Sequence, residues 1–402
     1  MRSSFLLRTS LALAATAFPA LAQAAAASTR TGIDVLAGDG SDVLRGRKVG
    51  LITNHTGRTA TGARTVDVIA AADGVRLVAL FSPEHGWEGK VDEKVGDSRD
   101  AATGLPVYSL YGETREPTDT MLAGIDTLVF DIQDIGCRFY TYVSTMRNCL
   151  EAAARKGLRF VVLDRPNPIG GLRMEGPVLA AARQDFVGSH RIPLRHGMTA
   201  GELARMIVGE DGLKVDLQVV PCVGWQRADL WDATGLPWIN PSPNMRSLTQ
   251  ALLYPGIGLL EGTNLSVGRG TDTPFEVLGA PWCDGVRLAQ RLRAANLPGV
   301  TFVPIAFTPN ASKFRGEACS GINIVVTDWR TFEPVRTGIH VACALRALFA
   351  DGWDHKKLDW LLKHEATRDA IVGGSAADTI VATWQRDLDL FRMRRQPFLL
   401  YE

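Results

Sequence analysis

The chain has 402 residues, which is too long for one ordinary hydrophobic core and predicts two domains. Hydrophobic residues make up 46% of it and charged residues 22%, which is typical of a globular protein. The formal net charge of +1 excludes a bulk field that would attract nucleic acid or an anionic membrane, although a local basic patch is compatible with it.

Residues 1–22 have the pattern of an export signal. Arg2 and Arg8 precede an apolar run, and Ala20-Leu21-Ala22 has the small-x-small form of a signal-peptidase site. The run is too short for a stable membrane span, and no later run is long enough. We therefore expect a cleaved signal, a periplasmic or secreted protein and no stable membrane insertion after cleavage. An uncleaved N-terminal anchor is the alternative.

Apolar runs alternate with helical stretches through the first half of the chain. This alternation predicts an α/β fold, in which a parallel sheet carries helices on both faces. Thr199 and Glu202 have the spacing of a capping box at the start of the third helix. The predicted strands are 48–54, 75–81, 126–131, 159–164 and 215–221, and the predicted helices are 64–72, 140–156 and 200–208.

Four of these strands are followed at once by polar or ionisable residues. Each group by itself is explained by helix capping or by a surface ion pair. Together they favour a polar pocket, because parallel strands end at one edge of the sheet and α/β sheets bind ligands there. The groups are Asn54 with His55; Glu84 with His85; Asp131, Gln133, Asp134 and Arg138; and Asp164, Arg165 and Asn167.

The segment 80–89, LFSPEHGWEG, combines the most varied chemistry. Glu84 offers an acid or base, His85 a hydrogen bond, and Trp87 a face on which a sugar ring can stack. The alternative is a helix start, with Ser82 as cap, Pro83 in the first turn and Glu84 facing the helix dipole.

The composition changes after residue 225, where tryptophans and prolines become frequent. We place the domain boundary here, with a larger domain at 30–238 and a smaller one at 239–402. Glycine-rich segments at 259–264 and 266–272 have the composition of ligand-binding loops, although they lack the P-loop lysine spacing. Further helices are predicted at 286–295, 334–349, 357–363 and 378–391, and strands at 300–307 and 321–327.

A pair of carboxylates is the simplest catalytic group that the sequence offers. Glycoside hydrolysis needs one carboxyl group as acid and a second as nucleophile or base. We predict Glu84 as the acid, with Asp131, Asp134 or Glu261 as its partner. Tyr140 and Tyr142, like Trp87, are candidates for sugar stacking or, alternatively, for the core.

A metal site is the competing chemistry, since His55, His85 and His196 could coordinate a metal with nearby aspartates. No HxH, HExxH, GxSxG or GxGxxG pattern occurs, so we predict neither a metal nor an organic cofactor. The six cysteines form no CxxC pair, and we interpret most of them as buried apolar residues.

Long motifs in the chain resemble the NamZ-like exo-β-N-acetylmuramidases, a family formerly known as a domain of unknown function. The resemblance extends from Gly32 to Tyr401. The motifs are ITNHTG at 52–57, FSPEHG at 81–86, VFDIQDIGCRFYTY at 129–142, DRPNP at 164–168, PSPNM at 241–245, EGTN at 261–264 and GRGT at 268–271.

The resemblance implies a Rossmann-like domain, a smaller α/β domain and a cleft between them. It implies an exo-acting glycosidase that releases terminal N-acetylmuramic acid from the non-reducing end of peptidoglycan fragments, with Glu84 as the catalytic residue. A periplasmic muropeptide-binding protein without catalysis and a metal-dependent hydrolase remain the alternatives.

The sugar's lactyl carboxylate calls for a cation, for which Arg138, Arg165 and Arg269 are candidates. The predicted catalytic set is Glu84, His85, Asp131 and Asp134. The predicted substrate-binding set is Asn54, His55, Gln133, Arg138, Tyr140, Arg165, Asn167, His196, Asn244, Glu261, Asn264, Arg269 and Thr271.

Overall fold

The computed structural model describes residues 28–38, 41–90 and 96–402. The predicted export signal at 1–22 lies outside the described residues. Within these ranges, no helix combines the length and the apolar character that crossing a membrane requires.

The first domain is built on a seven-stranded sheet. Its order is β3-β4-β2-β1-β5-β6-β7, and every neighbouring pair is parallel except β3 with β4. The chain moves outward from β1 to one edge and then returns to the other side of β1, as in other doubly wound sheets. The strands are β1 (Lys48–Thr53), β2 (Arg76–Ser82), β3 (Ser98–Arg99), β4 (Pro106–Ser109), β5 (Thr127–Asp131), β6 (Arg159–Leu163) and β7 (Asp216–Val220).

Helices cover both faces of this sheet, as the alternating pattern predicts. One face packs on the short helices α1 (Gly32–Gly38) and α2 (Thr65–Ala70). The other face packs on the longer helices α3 (Tyr142–Lys156) and α4 (Ala200–Asp211). Side chains alternate along a strand, so in β1 Leu51 enters the first core and Ile52 the second. The predicted parallel α/β domain is confirmed.

Several local predictions agree with the structure. The capping box is present, with the Thr199 side chain bonded to the Glu202 amide and the Glu202 side chain bonded to the Thr199 amide. All six cysteines are free thiols, and only Cys343 is not fully buried. The strand at 300–307 has the predicted bounds.

The second domain has a three-stranded sheet of order β8-β10-β9, and both pairs are antiparallel. Its strands are β8 (Val277–Ala280), β9 (Val300–Phe307) and β10 (Cys319–Val326). Its helices are α5 (Leu248–Ile257), α6 (Gly285–Arg293), α7 (Pro334–Leu348), α8 (Asp359–Leu362), α9 (Glu365–Val372), α10 (Ala377–Ala382) and α11 (Gln385–Arg395).

Two predictions in this half need correction. The single helix at 378–391 is wrong, because Thr383 and Trp384 separate α10 from α11. Helix α5 was not predicted, since Pro255 lies inside it and proline normally ends a helix. Here the segment is almost fully buried, and tertiary packing outweighs local preference.

The last described residues return to the first domain. The Tyr401 hydroxyl donates to Asp164 at the end of β6 (2.5 Å), and the Leu400 amide donates to Glu202 (2.8 Å). The Arg227 amide donates to the Glu402 carbonyl (2.7 Å). One hydrophobic core also continues from the first sheet into the helices of the second domain. The two domains therefore form one tightly joined body.

Candidate active site

A cleft of about 380 Å³ lies beyond the end of β2, and both domains contribute to its walls. The first domain supplies Glu84, His85 and the segment 139–142. The second domain supplies Tyr254, Glu261 and other side chains of its loops. Its volume falls within the range typical of small-molecule sites.

A larger cavity of about 680 Å³ lies within the second domain, between α6, α7 and α10. Alanines and glycines form most of its wall. Its only carboxylate, Asp378, is bonded to His340 (3.0 Å) and Arg336 (2.9 Å). The cleft at the end of β2 therefore has the chemistry of an active site, and the larger cavity does not.

Glu84 lies two residues beyond β2, in a turn closed by the bond from the Gly86 amide to the Pro83 carbonyl (3.0 Å). His85 in this turn has a φ of 69°, a left-handed conformation that is uncommon outside glycine. The Glu84 side chain is half-buried and accepts a hydrogen bond from the Thr141 hydroxyl. The turn thus presents a carboxylate to the cleft and fixes one of its oxygens.

Aromatic rings form a continuous wall of the cleft. Tyr140 meets Tyr142 edge-on at 4.9 Å between ring centroids and Tyr254 at 5.9 Å. Tyr254 in turn contacts Phe139 (5.1 Å) and Phe275 (4.7 Å). Burial raises the pKa of the Tyr140 hydroxyl, so this group stays neutral. Such a wall suits the apolar face of a sugar ring.

Glu261 enters the same cleft from the second domain, where it forms an ion pair with Arg269. Asp185 is the third carboxylate on the cleft, and it is bound to Lys363 (2.5 Å). Asn244 also lines the cleft. Thus Glu84, His85, Tyr140, Asn244, Glu261 and Arg269 are the predicted site residues that the structure brings together.

Asp131 and Arg165 form a buried ion pair away from the cleft. Arg165 donates twice to the Asp131 carboxylate, at 2.5 and 3.0 Å, and Thr65 donates a third hydrogen bond. Burial opposes the Arg165 charge, but Asp131 offsets this effect and raises the pKa of the guanidinium. Both groups are satisfied within the protein, which favours a structural role.

Arg138 is also enclosed within the protein. Its guanidinium donates to four backbone carbonyls, those of Pro177, Ile192, Leu361 and Leu362. Burial lowers its pKa to about 10. Arg138 therefore joins loops of the two domains, and its two terminal nitrogens are occupied by backbone carbonyls.

Asp134 and His196 lie deeper than the cleft wall. Asp134 accepts from the Gly136 amide (2.7 Å) and lies 3.6 Å from His196 Nε2. His196 Nδ1 accepts from the Met198 amide, which leaves the ring proton on Nε2, facing Asp134. Gln133 donates to the Asp134 and Pro166 carbonyls (2.7 and 2.9 Å). These contacts shape the loop that carries Phe139 to Tyr142.

Asn54 and Asn167 bond to the backbone around them. Asn54 accepts from both the amide and the hydroxyl of Thr56 (2.9 and 2.6 Å). Asn167 donates to the Met198 carbonyl (3.0 Å) and packs so tightly against Gly136, which has a φ of 81°, that no Cβ fits there. Both asparagines are buried, and neither lines the cleft.

His55 braces the loop that follows Glu84. Its Nε2 donates to the Asn240 carbonyl (2.7 Å), and its ring fills the space where a Cβ of Gly89 would lie. Burial, together with the positive charge of Arg58 nearby, lowers the pKa of its imidazole. His55 thus acts as a neutral contact between the two domains.

Asn264 and Thr271 hold turns of the second domain. Asn264 donates to the Gly352 carbonyl (2.8 Å) and accepts from the Asp354 amide (2.7 Å). Thr271 donates to the Gly268 carbonyl (2.7 Å).

Trp87 packs against the core on the α1 and α2 side of the sheet, which supports the core interpretation for this ring.

Several cleft residues were not predicted from the sequence. They are Thr141, Arg115, Phe186, Trp360 and the aromatic side chains of Phe139, Tyr254 and Phe275. Thr141 lies within the motif at 129–142, so that motif could have indicated it. Arg115 and Phe186 lie in irregular segments without periodicity, where the sequence carries no comparable signal.

Across the described ranges, no three His, Cys, Asp or Glu side chains are arranged to hold a metal ion. The candidate ligands have separate tasks: His55 contacts Asn240, and His196 lies beside Asp134.

Comparisons with known proteins match most of the chain to one family. Two family models match, "Exo-beta-N-acetylmuramidase NamZ, N-terminal" over residues 49–249 and its C-terminal counterpart over residues 252–401. The chain is similar to the peptidoglycan beta-N-acetylmuramidase NamZ of Bacillus subtilis (strain 168), with 43% identity over 377 residues, which cover 92% of this chain and 91% of that protein.

Two crystal structures of DUF1343 family proteins from Bacteroides fragilis NCTC 9343 have the same fold. The first has a TM-score of 0.88 and 39% identity, and the match covers 93% of this chain and 99% of that one. The second has a TM-score of 0.76 and 30% identity, with coverage of 94% and 99%.

Proposed function

Because the chain belongs to the exo-beta-N-acetylmuramidase NamZ family, we propose that it is a glycosidase that removes terminal N-acetylmuramic acid from the non-reducing end of peptidoglycan fragments. The single observation that supports this most directly is the Glu84 carboxylate, held at the aromatic wall of a sugar-sized cleft. The family and the geometry thus point to the same chemistry.

Glu84 is the proposed general acid. In glycoside hydrolysis the acid protonates the glycosidic oxygen while the bond from that oxygen to the sugar C1 breaks. The Thr141 hydroxyl binds one carboxylate oxygen and leaves the other to carry the proton. Thr141 is therefore a positioning residue, which fixes the direction in which Glu84 delivers its proton.

Glu261 is the proposed second carboxylate. Of the candidate partners for Glu84, Asp131 is enclosed by Arg165 and Thr65, and Asp134 lies behind the wall. Glu261 lines the same cleft as Glu84 and comes from the other domain. A pair divided between two domains depends on their relative position, which the continuous core holds fixed.

The proposed exo action agrees with the volume of the cleft. A cleft of about 380 Å³ offers room for a terminal sugar and its immediate neighbour rather than for a long glycan strand. The exposed ring of Trp360 lies at the same cleft and offers a stacking surface for a further sugar.

The test uses peptidoglycan glycan fragments labelled at the reducing end. One set ends in N-acetylmuramic acid at the non-reducing end, and the matched control set ends in N-acetylglucosamine. We expect free N-acetylmuramic acid from the first set, with each labelled chain shortened by one sugar. Cleavage inside the chains, or release of N-acetylglucosamine from the control set, would contradict the proposal. Binding without any cleavage would favour a muropeptide-binding protein instead.

Export is part of this proposal, and the pattern of residues 1–22 supports it. Fractionation of cells that express the full chain tests it. We expect the protein in the periplasm or the medium, shortened at its N-terminus. A full-length protein in the cytoplasm would contradict export without affecting the proposed reaction.

A further inference from the structure

Three arginines were candidates to bind the carboxylate of a muramic acid lactyl group, and the structure shows each of them already engaged. Arg138 donates to four carbonyls, and Arg165 is paired with Asp131. Arg269 does line the cleft, but it is paired with Glu261. A substrate carboxylate would have to compete with a carbonyl or a carboxylate at every one of them.

Arg115 is a different case. It lies in the segment between β4 and β5, is exposed to solvent and lines the cleft. Its guanidinium carbon lies 4.2 Å from the centroid of the Phe186 ring and 5.6 Å from that of Tyr111. In the described part of the chain, no carboxylate forms an ion pair with it, and the nearby Asp185 is bound to Lys363.

The stacking prepares this guanidinium for an anion. A ring beneath the flat face limits the motion of the side chain and leaves the N–H groups at its edge free to donate. Those donors match the two oxygens of a carboxylate. Phe186 is itself held against Tyr111, with ring centroids 6.0 Å apart, so two separate loops form the platform.

We propose that Arg115, oriented by Phe186, binds the lactyl carboxylate and is the residue by which the enzyme distinguishes N-acetylmuramides from N-acetylglucosaminides. This inference rests on the proposed function. The two sugars differ by the lactyl ether, so selectivity requires a contact to that group. Arg115 supplies a positive charge at the cleft, and no described carboxylate forms an ion pair with it.

The experiment compares kcat/KM for three chromogenic glycosides: an N-acetylmuraminide, the same muraminide with its lactyl carboxylate converted to an amide, and an N-acetylglucosaminide. Arg115→Met removes the charge and keeps much of the side-chain length. Arg287→Met is the matched control, because Arg287 is also exposed and lies over a phenylalanine ring, 6.0 Å from the Phe349 centroid, but outside the cleft.

We expect Arg115→Met to lower kcat/KM for the muraminide about tenfold and to leave the other two substrates nearly unchanged, so that the preference for the charged sugar collapses. Arg115→Lys keeps the charge without the planar fork and should retain part of the preference. Arg287→Met should behave as the wild type on all three substrates.

An unchanged ratio between charged and amidated muraminide in Arg115→Met would overturn the inference. So would a collapse of that ratio in Arg269→Met alone, which would assign the lactyl group to Arg269. In both outcomes the wild type still hydrolyses the muraminide, so the proposed function stands. A wild type that hydrolyses no muraminide would instead refute the proposed function.

Discussion

The end of β2 and the ends of β5 and β6 carry similar residues but have different tasks. Glu84, after β2, has one hydrogen-bond partner among the described residues, Thr141, and faces an open cleft. Asp131, at the end of β5, receives three hydrogen bonds from side chains and is inaccessible. Asp164, after β6, receives four, from Thr199, Tyr401 and the amides of Arg165 and Gly201.

The number of donors that the fold supplies, rather than the residue type, therefore separates a structural carboxylate from a reactive one. A carboxylate whose oxygens are all occupied can neither reach a substrate nor exchange a proton with it. The Glu84 turn leaves one oxygen without a donor in the described structure. Substitutions at Glu84, Asp131, Thr141 and His55 test that contrast.

Glu84→Gln tests the carboxylate that has one oxygen without a donor and faces the cleft. Glutamine keeps the shape and still accepts from Thr141, but it cannot deliver a proton. We expect kcat/KM for a muraminide to fall by about 10²–10⁴-fold. The free energy of unfolding should change by less than about 0.5 kcal/mol, because Glu84 is half-buried and has few partners. Near-normal turnover by a correctly folded variant would remove Glu84 from the mechanism.

Asp131→Asn tests a carboxylate whose oxygens are occupied by side-chain donors, and it should lower stability rather than activity. It leaves the buried Arg165 charge without its partner, which costs about 3–5 kcal/mol in the free energy of unfolding measured with urea. Folded variant protein should keep most of its kcat. A variant of normal stability with a kcat as low as that of Glu84→Gln would instead place Asp131 in the catalytic pair.

Thr141→Val tests the one bond that the fold does supply to Glu84. Valine has nearly the same shape without the hydroxyl, so we expect kcat to fall about tenfold. Thr141→Ser retains the donor and should recover most of the rate. If the serine variant is as slow as the valine variant, the methyl group matters rather than the hydrogen bond.

His55 gives the smallest expected effect, through pH. Burial holds the pKa of this imidazole below its ordinary value of 6.5, so the folded state takes up its proton less readily than the unfolded chain. The contribution of the neutral His55 imidazole to the free energy of unfolding is therefore fully present above about pH 6.5, and it is lost as the pH falls below that value. One proton contributes a slope of at most about 1.4 kcal/mol per pH unit.

The effect is measured by urea unfolding of the wild type and of His55→Gln between about pH 5 and 7. The change in the free energy of unfolding per pH unit is compared with the limiting slope of about 1.4 kcal/mol. The variant should lose less stability on acidification than the wild type. Equal slopes for the two proteins would show that other groups cause the pH dependence.

The sequence predicted five of the seven strands of the first sheet, because buried parallel strands are continuous apolar runs and their ends are marked by polar residues. It predicted Glu84 for the same reason. It missed the short strands β3 and β4 at one edge of the sheet. It could not predict which carboxylates at the strand ends have all their oxygens occupied, since their hydrogen-bond donors come from distant parts of the chain. Thr65 lies 66 residues from Asp131, and Tyr401 lies 237 residues from Asp164.

The second domain was harder to predict. Strand β8 has only four residues and is fully buried, so it shows no alternating pattern, and α5 contains a proline. The cleft wall shows the same limit. Tyr140 lies in a recognisable motif, whereas the Arg115 and Phe186 contact joins two irregular loops across 71 residues of sequence and depends wholly on tertiary structure.

Residues 400–402 join the second domain to the first sheet and its flanking helix. Asp164 lies in the first half of the sequence, yet one of its donors, Tyr401, comes after the whole second domain. A fragment that ends near residue 238 would lack this donor and would leave the Arg227 amide without the Glu402 carbonyl. The first sheet therefore cannot complete its contacts during synthesis until residues 401 and 402 emerge, and contacts of such long range favour slow folding. Either half alone should be prone to aggregate, whereas mixing the two halves should restore the missing hydrogen bonds.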